Sequence, residues 1–234
     1  MTKEKPILMS APMVLALLHN RKTQTRRTIK PQPKQYEGGT SFMDDGEGIW
    51  SAWSLEGDQQ SFKCPYPVGT VLWAKECWRP VGPWECRKET VCYRADGAFE
   101  HKLGWPDTFK ISASKDSIHK WRPSLFMGKW ASRIRLEVTG VKVERLNSIS
   151  NEDAVAEGIE VVGKSEEYSF SGCKTGKTHI HYKFYGKELE RFKQQTTTPK
   201  WSYETLWESI NGKGSWALNP WVWAYTFTRI TNNY

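Results

Sequence analysis

The chain lacks any long apolar run. Nothing in its 234 residues approaches the roughly 20 consecutive apolar positions that a membrane-spanning helix needs. No signal peptide is visible. The expectation is a soluble, cytoplasmic protein with no membrane partner. Its five cysteines (Cys64, Cys77, Cys86, Cys92 and Cys173) are odd in number and include no CxxC pair, which argues for reduced thiols over a disulfide framework. His179-x-His181 and these scattered cysteines lack zinc-ligand spacing, so neither a metal nor another cofactor is expected. P-loop, GxGxxG and GxSxG signatures are missing, as are internal repeats and low-complexity tracts.

Acidic residues are also in short supply. Against 26 Asp and Glu stand 34 Lys and Arg, a formal charge of +8. That balance suits a nucleic acid or another anionic partner. Thirteen tryptophans exceed what a core of this size needs, so some are expected to line a surface or cleft where an indole stacks on a planar ligand.

What the chain does have is a dense basic stretch behind an apolar one. Arg21 to Arg27 holds four cations and two hydroxyl residues within seven positions. Before it, Ser10 is a good N-cap, Pro12 sits in a first helical turn, and Met13, Val14, Leu17 and Leu18 form an apolar face. Asn20 stands where a left-handed C-cap residue belongs. A strand should follow, with Thr23, Thr25, Arg27 and Ile29 of one parity and Lys22, Gln24 and Arg26 of the other. Lys22 and Thr25 share a site only if Lys22 lies in the turn before the strand.

Further along, residues 31–69 read as a long, weakly ordered loop, with 31–63 as an insertion. Strands are expected over 70–76, 90–96 and 133–146, the last bent or bulged at Gly140 where its apolar parity switches. Ser150 and Asp153 resemble a capping box before a short helix over 151–157, closed by Gly158. Residues 163–200 read as a polar insertion. A helix over 201–210 and a strand over 221–230 follow, with Trp221, Trp223, Tyr225 and Phe227 as core. Strands dominate and helices sit near the ends, predicting a single α+β domain over 1–234: a strand-dominated β-barrel with flanking short helices and two insertions.

Helix, tight turn and Lys22-x-x-Thr25-x-Arg27 resemble the signature of ASCH domains, a branch of the PUA-like superfamily, with Asn20 in place of the family's usual Gly. The strand Leu72-Trp73-Ala74-Lys75-Glu76 and the Trp-rich C-terminal strand are similar too. The phrases Trp121-Arg122-Pro123-Ser124, Trp130-Ala131-Ser132-Arg133 and Leu206-Trp207-Glu208-Ser209-Ile210-Asn211 resemble phage- and prophage-encoded ASCH proteins, which would put the chain in a bacterial cytoplasm. The resemblance implies a PUA-like barrel that binds RNA or a modified base. It further implies that Lys22 and Thr25 match the Lys and Thr of small ASCH amidohydrolases that deacetylate N4-acetylcytidine, with Glu157 as their Glu. Those enzymes are much shorter than this chain.

Amide hydrolysis needs an activated nucleophile, a proton carrier and a stabilised oxyanion. Thr25 could attack or position a water. Lys22 could act as base if desolvation and neighbouring cations lower its pKa. Glu157 could hold Lys22 or shuttle a proton. Arg21 and Arg27 suit phosphate or oxyanion contact, as do Arg122 and Arg133. Glu76 reads either as a cross-strand partner or as a second site carboxylate. Trp73, Trp78, Trp121 and Trp130 are stacking candidates, although each type is also common in a core. A basic strand of this kind is equally what a solvated edge presents. Three function classes therefore stay open: an acyl-amide hydrolase, a non-catalytic reader of RNA or modified DNA, and a phage accessory protein that binds a host protein.

Overall fold

A computed structural model of the chain describes residues 4–34, 41–44, 46, 48–53, 59–81, 90–101, 120–168, 174–185 and 195–230. In chain order its elements are β1 (Glu4–Leu8), α1 (Ala11–Leu18), β2 (Gln24–Thr28), β3 (Ser41–Asp44), β4 (Ile49–Trp53), β5 (Gln59–Lys63) and β6 (Val71–Lys75). Then come β7 (Trp78–Val81), β8 (Thr90–Tyr93), β9 (Phe99–His101), β10 (Arg135–Arg145), α2 (Asn151–Ala156) and β11 (Val161–Tyr168). The series closes with β12 (Lys174–Lys183), β13 (Gln195–Thr196), α3 (Pro199–Asn211) and β14 (Trp221–Ile230). Strands dominate, as the sequence predicts.

The chain divides into two compact units. One comprises Met1–Asn20, Val68–Thr139 and Phe227–Tyr234; the other comprises Arg21–Pro67 and Gly140–Thr226. In the first unit, β1 runs parallel to β6, from Glu4 opposite Val71 to Leu8 opposite Lys75, and the start of β10 pairs antiparallel with β6. Strands β7, β8 and β9 make a small antiparallel sheet. Its core gathers Trp78, Val91, Tyr93, Met127 and Ala131, and the buried Tyr93 hydroxyl donates to Ala131 O at 2.8 Å. Helix α1 buries Val14, Ala16 and Leu17. Eight residues are too few for a stable isolated helix, so that apolar stripe is what holds it.

In the second unit, β2 pairs antiparallel with β14, Gln24 opposite Thr226 through Thr28 opposite Val222. Strands β3, β4 and β5 form an antiparallel meander, and β11, β12 and β13 form another. Helices α2 and α3 contribute Ala154, Tyr203, Leu206 and Trp207 to a core shared with Leu146, Ile149, Ile159 and Val222.

Two expectations change. Every sheet among the described strands is open, so these strands do not close into the expected barrel. Most of the supposed loop at 31–69 and of the insertion at 163–200 is paired strand wherever it is described. Polar sequences such as Gln59–Lys63 or Lys174–Lys183 hide strands because only one or two of their side chains are buried (Phe62, Tyr182), which leaves little alternation to read. Strand β10 runs through Gly140 without interruption, and the division between the two units falls just before that residue.

Candidate functional site

The turn between α1 and β2 is built as the motif requires. Helix α1 ends at Leu18 and Asn20 takes φ +55°, the left-handed conformation its short polar side chain tolerates. β2 starts only at Gln24, which leaves Lys22 in the turn. The turn is pinned to the end of α2 by three donors. Thr23 N–H donates to Ala156 O at 2.8 Å, Lys22 Nζ donates to Glu157 O at 2.9 Å, and Arg21 Nη1 donates to Gly158 O and Ile159 O, both at 3.2 Å. Helix ends leave carbonyls without intrahelical partners, and cationic donors are well placed to satisfy them.

Beyond the carbonyl, Lys22 Nζ lies 2.7 Å from Glu157 Oε2, and both side chains are sealed from solvent, 0% and 1% exposed. The other oxygen, Oε1, accepts from Arg26 Nη1 at 3.1 Å and from Tyr203 Oη at 3.4 Å. Arg26 is fully engaged: Nη2 reaches Asp153 Oδ2 at 2.9 Å and Nε reaches Glu144 Oε1 at 2.7 Å. Lys142 bridges Asp153 and Glu144 at 2.8 and 3.1 Å, while Gln24 Nε2 donates to Asp153 Oδ1 at 2.9 Å. Three cations (Lys22, Arg26, Lys142) thus face three carboxylates (Glu144, Asp153, Glu157). Such balance is what permits charge in a low-dielectric interior.

Burial, opposed by the Glu157 carboxylate, lowers the pKa of Lys22 below the ordinary lysine value, and the charges of Arg27 and Arg26 lower it further. For Arg26, burial acts the same way, but Glu157 and Glu144 outweigh it and raise the guanidinium. Burial also pushes the Tyr203 hydroxyl well above a free tyrosine, with Glu157 adding to it, so that the phenol stays a donor.

Thr25 and Arg27 occupy the opposite face of β2, across from Tyr225 and Trp223. Thr25 is 1% exposed, and among the described residues no hydrogen bond joins its hydroxyl to Lys22 or Glu157. On that face the Tyr225 hydroxyl sits 3.8 Å from Cys64 Sγ and its ring packs edge-on against Tyr66 at 5.3 Å. Burial raises both phenols, and the positive charge of Arg27 partly opposes it. The structure brings together Lys22 and Glu157, adds Arg26, Tyr203, Asp153 and Glu144, and leaves Thr25 outside that network.

The remaining candidates belong to the other unit. Glu76 is 2% exposed and is gripped by Arg133, whose Nε and Nη2 donate to its two oxygens at 2.8 and 2.9 Å; Arg133 also reaches Asp96 at 2.8 Å. The Arg133 guanidinium lies over the Tyr93 ring, 4.0 Å from its centroid. Glu76 is therefore a partner in a structural ion cluster, on a different unit from Lys22. Burial raises its carboxyl, Arg133 opposing. Trp78 is 1% exposed and central to its core, which removes it as a stacking shelf, and Trp130 packs edge-on against it at 5.5 Å. Arg122 lies 5.5 Å over the Trp78 ring. Trp73 is half-buried beside Lys75, 5.5 Å away. Trp121 alone of these rings is well exposed, with the guanidinium groups of Arg79 and Arg94 at 5.7 and 6.0 Å.

Asp153, read from sequence only as a capping residue, and Glu144 were not singled out as site residues. The signal was there for Asp153, which stands four residues before Glu157 on the same side of the helix end. For Arg26 the signal was the parity it shares with Gln24. No family model, curated protein or solved structure matches the chain. Among the described residues, no helix is long and apolar enough to cross a membrane, and no group of three potential metal ligands gathers.

Proposed function

We propose that this chain is an ASCH-like, PUA-related protein that binds RNA or a modified nucleoside, and that Lys22, Thr25 and Glu157 hydrolyse an acyl amide on a modified cytidine. The observation that carries this reading is the contact between Lys22 and Glu157, residues 135 apart in sequence and 2.7 Å apart in space. Motif position alone paired them. Burial lowers the pKa of Lys22, the direction a proton acceptor needs, and Glu157 Oε2 lies within hydrogen-bond reach of its amine. Thr25 enters this reading through the motif alone, since it lies on the other face of β2. The +8 charge and half-buried Arg27 would favour the phosphates of the ligand.

Incubation with N4-acetylcytidine tests it directly. Release of cytidine and acetate is expected from the wild type and should be lost in Lys22→Ala and in Thr25→Ala. A wild type that leaves the substrate intact overturns the hydrolase reading for that substrate.

A second reading, a non-catalytic reader of RNA or modified DNA, is favoured by the occupancy of Glu157, whose two oxygens are already held by Lys22, Arg26 and Tyr203. It expects oligonucleotide binding that weakens with salt and with Arg27→Ala, without turnover.

A further inference from the structure

The hairpin of β11 and β12, in the second unit, stands largely in solvent. Strand β13 covers β12 only at Tyr182 and Lys183, opposite Thr196 and Gln195. Outward from the pairing of Gly163 with His181, the hairpin is a ribbon of two strands. On that ribbon Lys164, Ser165, Glu166, Tyr168 and all of residues 174–180 are exposed. Two strands alone are marginally stable in water, and a third is what ordinarily secures them.

Strand β11 is also an open edge. The order β11-β12-β13 leaves no strand on its outer side among the described residues. Protein edges are normally blunted, by shortness among other devices. The other outer strands of the three-stranded sheets, β3, β5, β7, β9 and β13, have five residues or fewer. β11 has eight residues and no proline, and it exposes Val161, Val162 and Tyr168 at 46%, 47% and 57%. Its register with β12 shifts on either side of residues 163–166 and is regular between them.

We propose that β11 pairs antiparallel with β11 of a second copy of this chain, with the two-fold axis at Ser165, joining two hairpins into one four-stranded sheet. Residues opposed in an antiparallel pair are either both hydrogen-bonded or both not, so two identical strands must be centred on a residue. Among the exposed residues of the regular stretch, centring on Lys164 opposes two ammonium groups, and centring on Glu166 opposes two carboxylates. Like charges directly opposite are destabilising. Centring on Ser165 instead sets Lys164 of each copy opposite Glu166 of the other, twice per dimer and on one face of the sheet. Glu166 has room for that partner: Lys174 Nζ at 2.5 Å and Tyr168 Oη at 3.4 Å both meet Oε2, and Oε1 accepts no hydrogen bond among the described residues. Such a dimer does not depend on the nucleoside reading above.

Sedimentation equilibrium of the full chain across a concentration series tests this, and a monomer–dimer equilibrium is expected. Lys164→Glu and Glu166→Lys should each weaken the dimer about tenfold, because both ion pairs become repulsions. The two reversals combined should restore it. Ser165→Cys, on the axis, brings two Cα atoms to about 4.5–5.5 Å, a span a disulfide closes. That variant should cross-link on mild oxidation where the wild type and Thr178→Cys, on β12, do not. A chain that stays monomeric at every concentration overturns the proposal. So does a dimer unaffected by either single reversal, a combined reversal that stays as weak as the single ones, or a Thr178 variant that cross-links as readily as the Ser165 variant.

Discussion

Glu157 answers to two cations and a phenol from within a dry interior, and Asp153 answers to two cations and an amide nearer the surface. The two carboxylates should respond differently to mutation. Glu157→Gln strands Lys22 and Arg26 with too little negative charge and is expected to cost about 3–5 kcal/mol in urea unfolding. Replacing Lys22 and Glu157 together by Met should cost less than Glu157→Gln alone, because no buried charge is then left unmatched by that pair. A double variant no better than the single would show that the contact is not what matters.

Burial alone would raise the Asp153 carboxyl, but the hydrogen bonds from Lys142 and Gln24 and the charge of Arg26 bring it below its ordinary value. A depressed carboxylate contributes stability above its unfolded pKa, about 3.9, and loses it as the pH falls through the folded value. Asp153→Asn should therefore lower stability at pH 7, and the gap to the wild type should close as the pH falls through the folded value. A gap between wild type and variant that persists in acid would contradict this. Lys22 acts with the same sign in a higher pH range. With its folded pKa lowered, the unfolded chain holds more protons between that value and the ordinary lysine pKa, and stability rises with pH across the interval.

At the scale of elements, α2 is six residues long and depends on its ends. Ser150 Oγ accepts from Asp153 N–H at 3.0 Å, and Gly158 closes the helix at φ +87°. Ser150→Ala should cost about 0.5–2 kcal/mol, read as a shift in urea midpoint with unchanged slope. Since α2 delivers Asp153 and positions Glu157, the loss should be accompanied by weaker protection of the Thr23 amide, which bonds to the helix end.

These local features were legible in the sequence for physical reasons. Ser150, Gly158 and Asn20 read correctly because caps and left-handed positions admit few residue types. β14 read correctly because aromatic, β-branched and small apolar residues fill it, although its centre is buried on both faces. Parity set the placement of Lys22 ahead of β2 only as a condition, and the pairing with Glu157 was implied by the motif resemblance alone. The ion network around Arg26 was not legible, since a charged residue in a strand looks the same whether it meets solvent or three carboxylates from distant segments. The core role of Trp78 was hidden likewise, because indoles serve cores and ligand shelves alike. The open sheets were hidden because closure depends on which strands become neighbours, and nothing local records that.

At the scale of the molecule, the charge of +8 bears on encounter with partners more than on fold. If single-stranded oligonucleotides are the ligand, log affinity should fall linearly with log salt, and Arg27→Ala should make that slope shallower by about one counterion. Filter binding across a salt series measures both. An affinity indifferent to salt would exclude the phosphate backbone as the main contact.

Each unit also carries a pair of nearly perpendicular indoles. Trp78 and Trp130 stand 5.5 Å apart at 89° in one, and Trp50 and Trp223 stand 5.8 Å apart at 76° in the other. At such separations the transition dipoles of two indoles couple, and the coupled pair imprints an exciton band on the circular dichroism spectrum. Substituting Trp130 or Trp50 by Phe would silence one band at a time. The protein thus holds an intrinsic optical reporter in each unit, able to show during a single melt whether the two lose their packing in one step or in two.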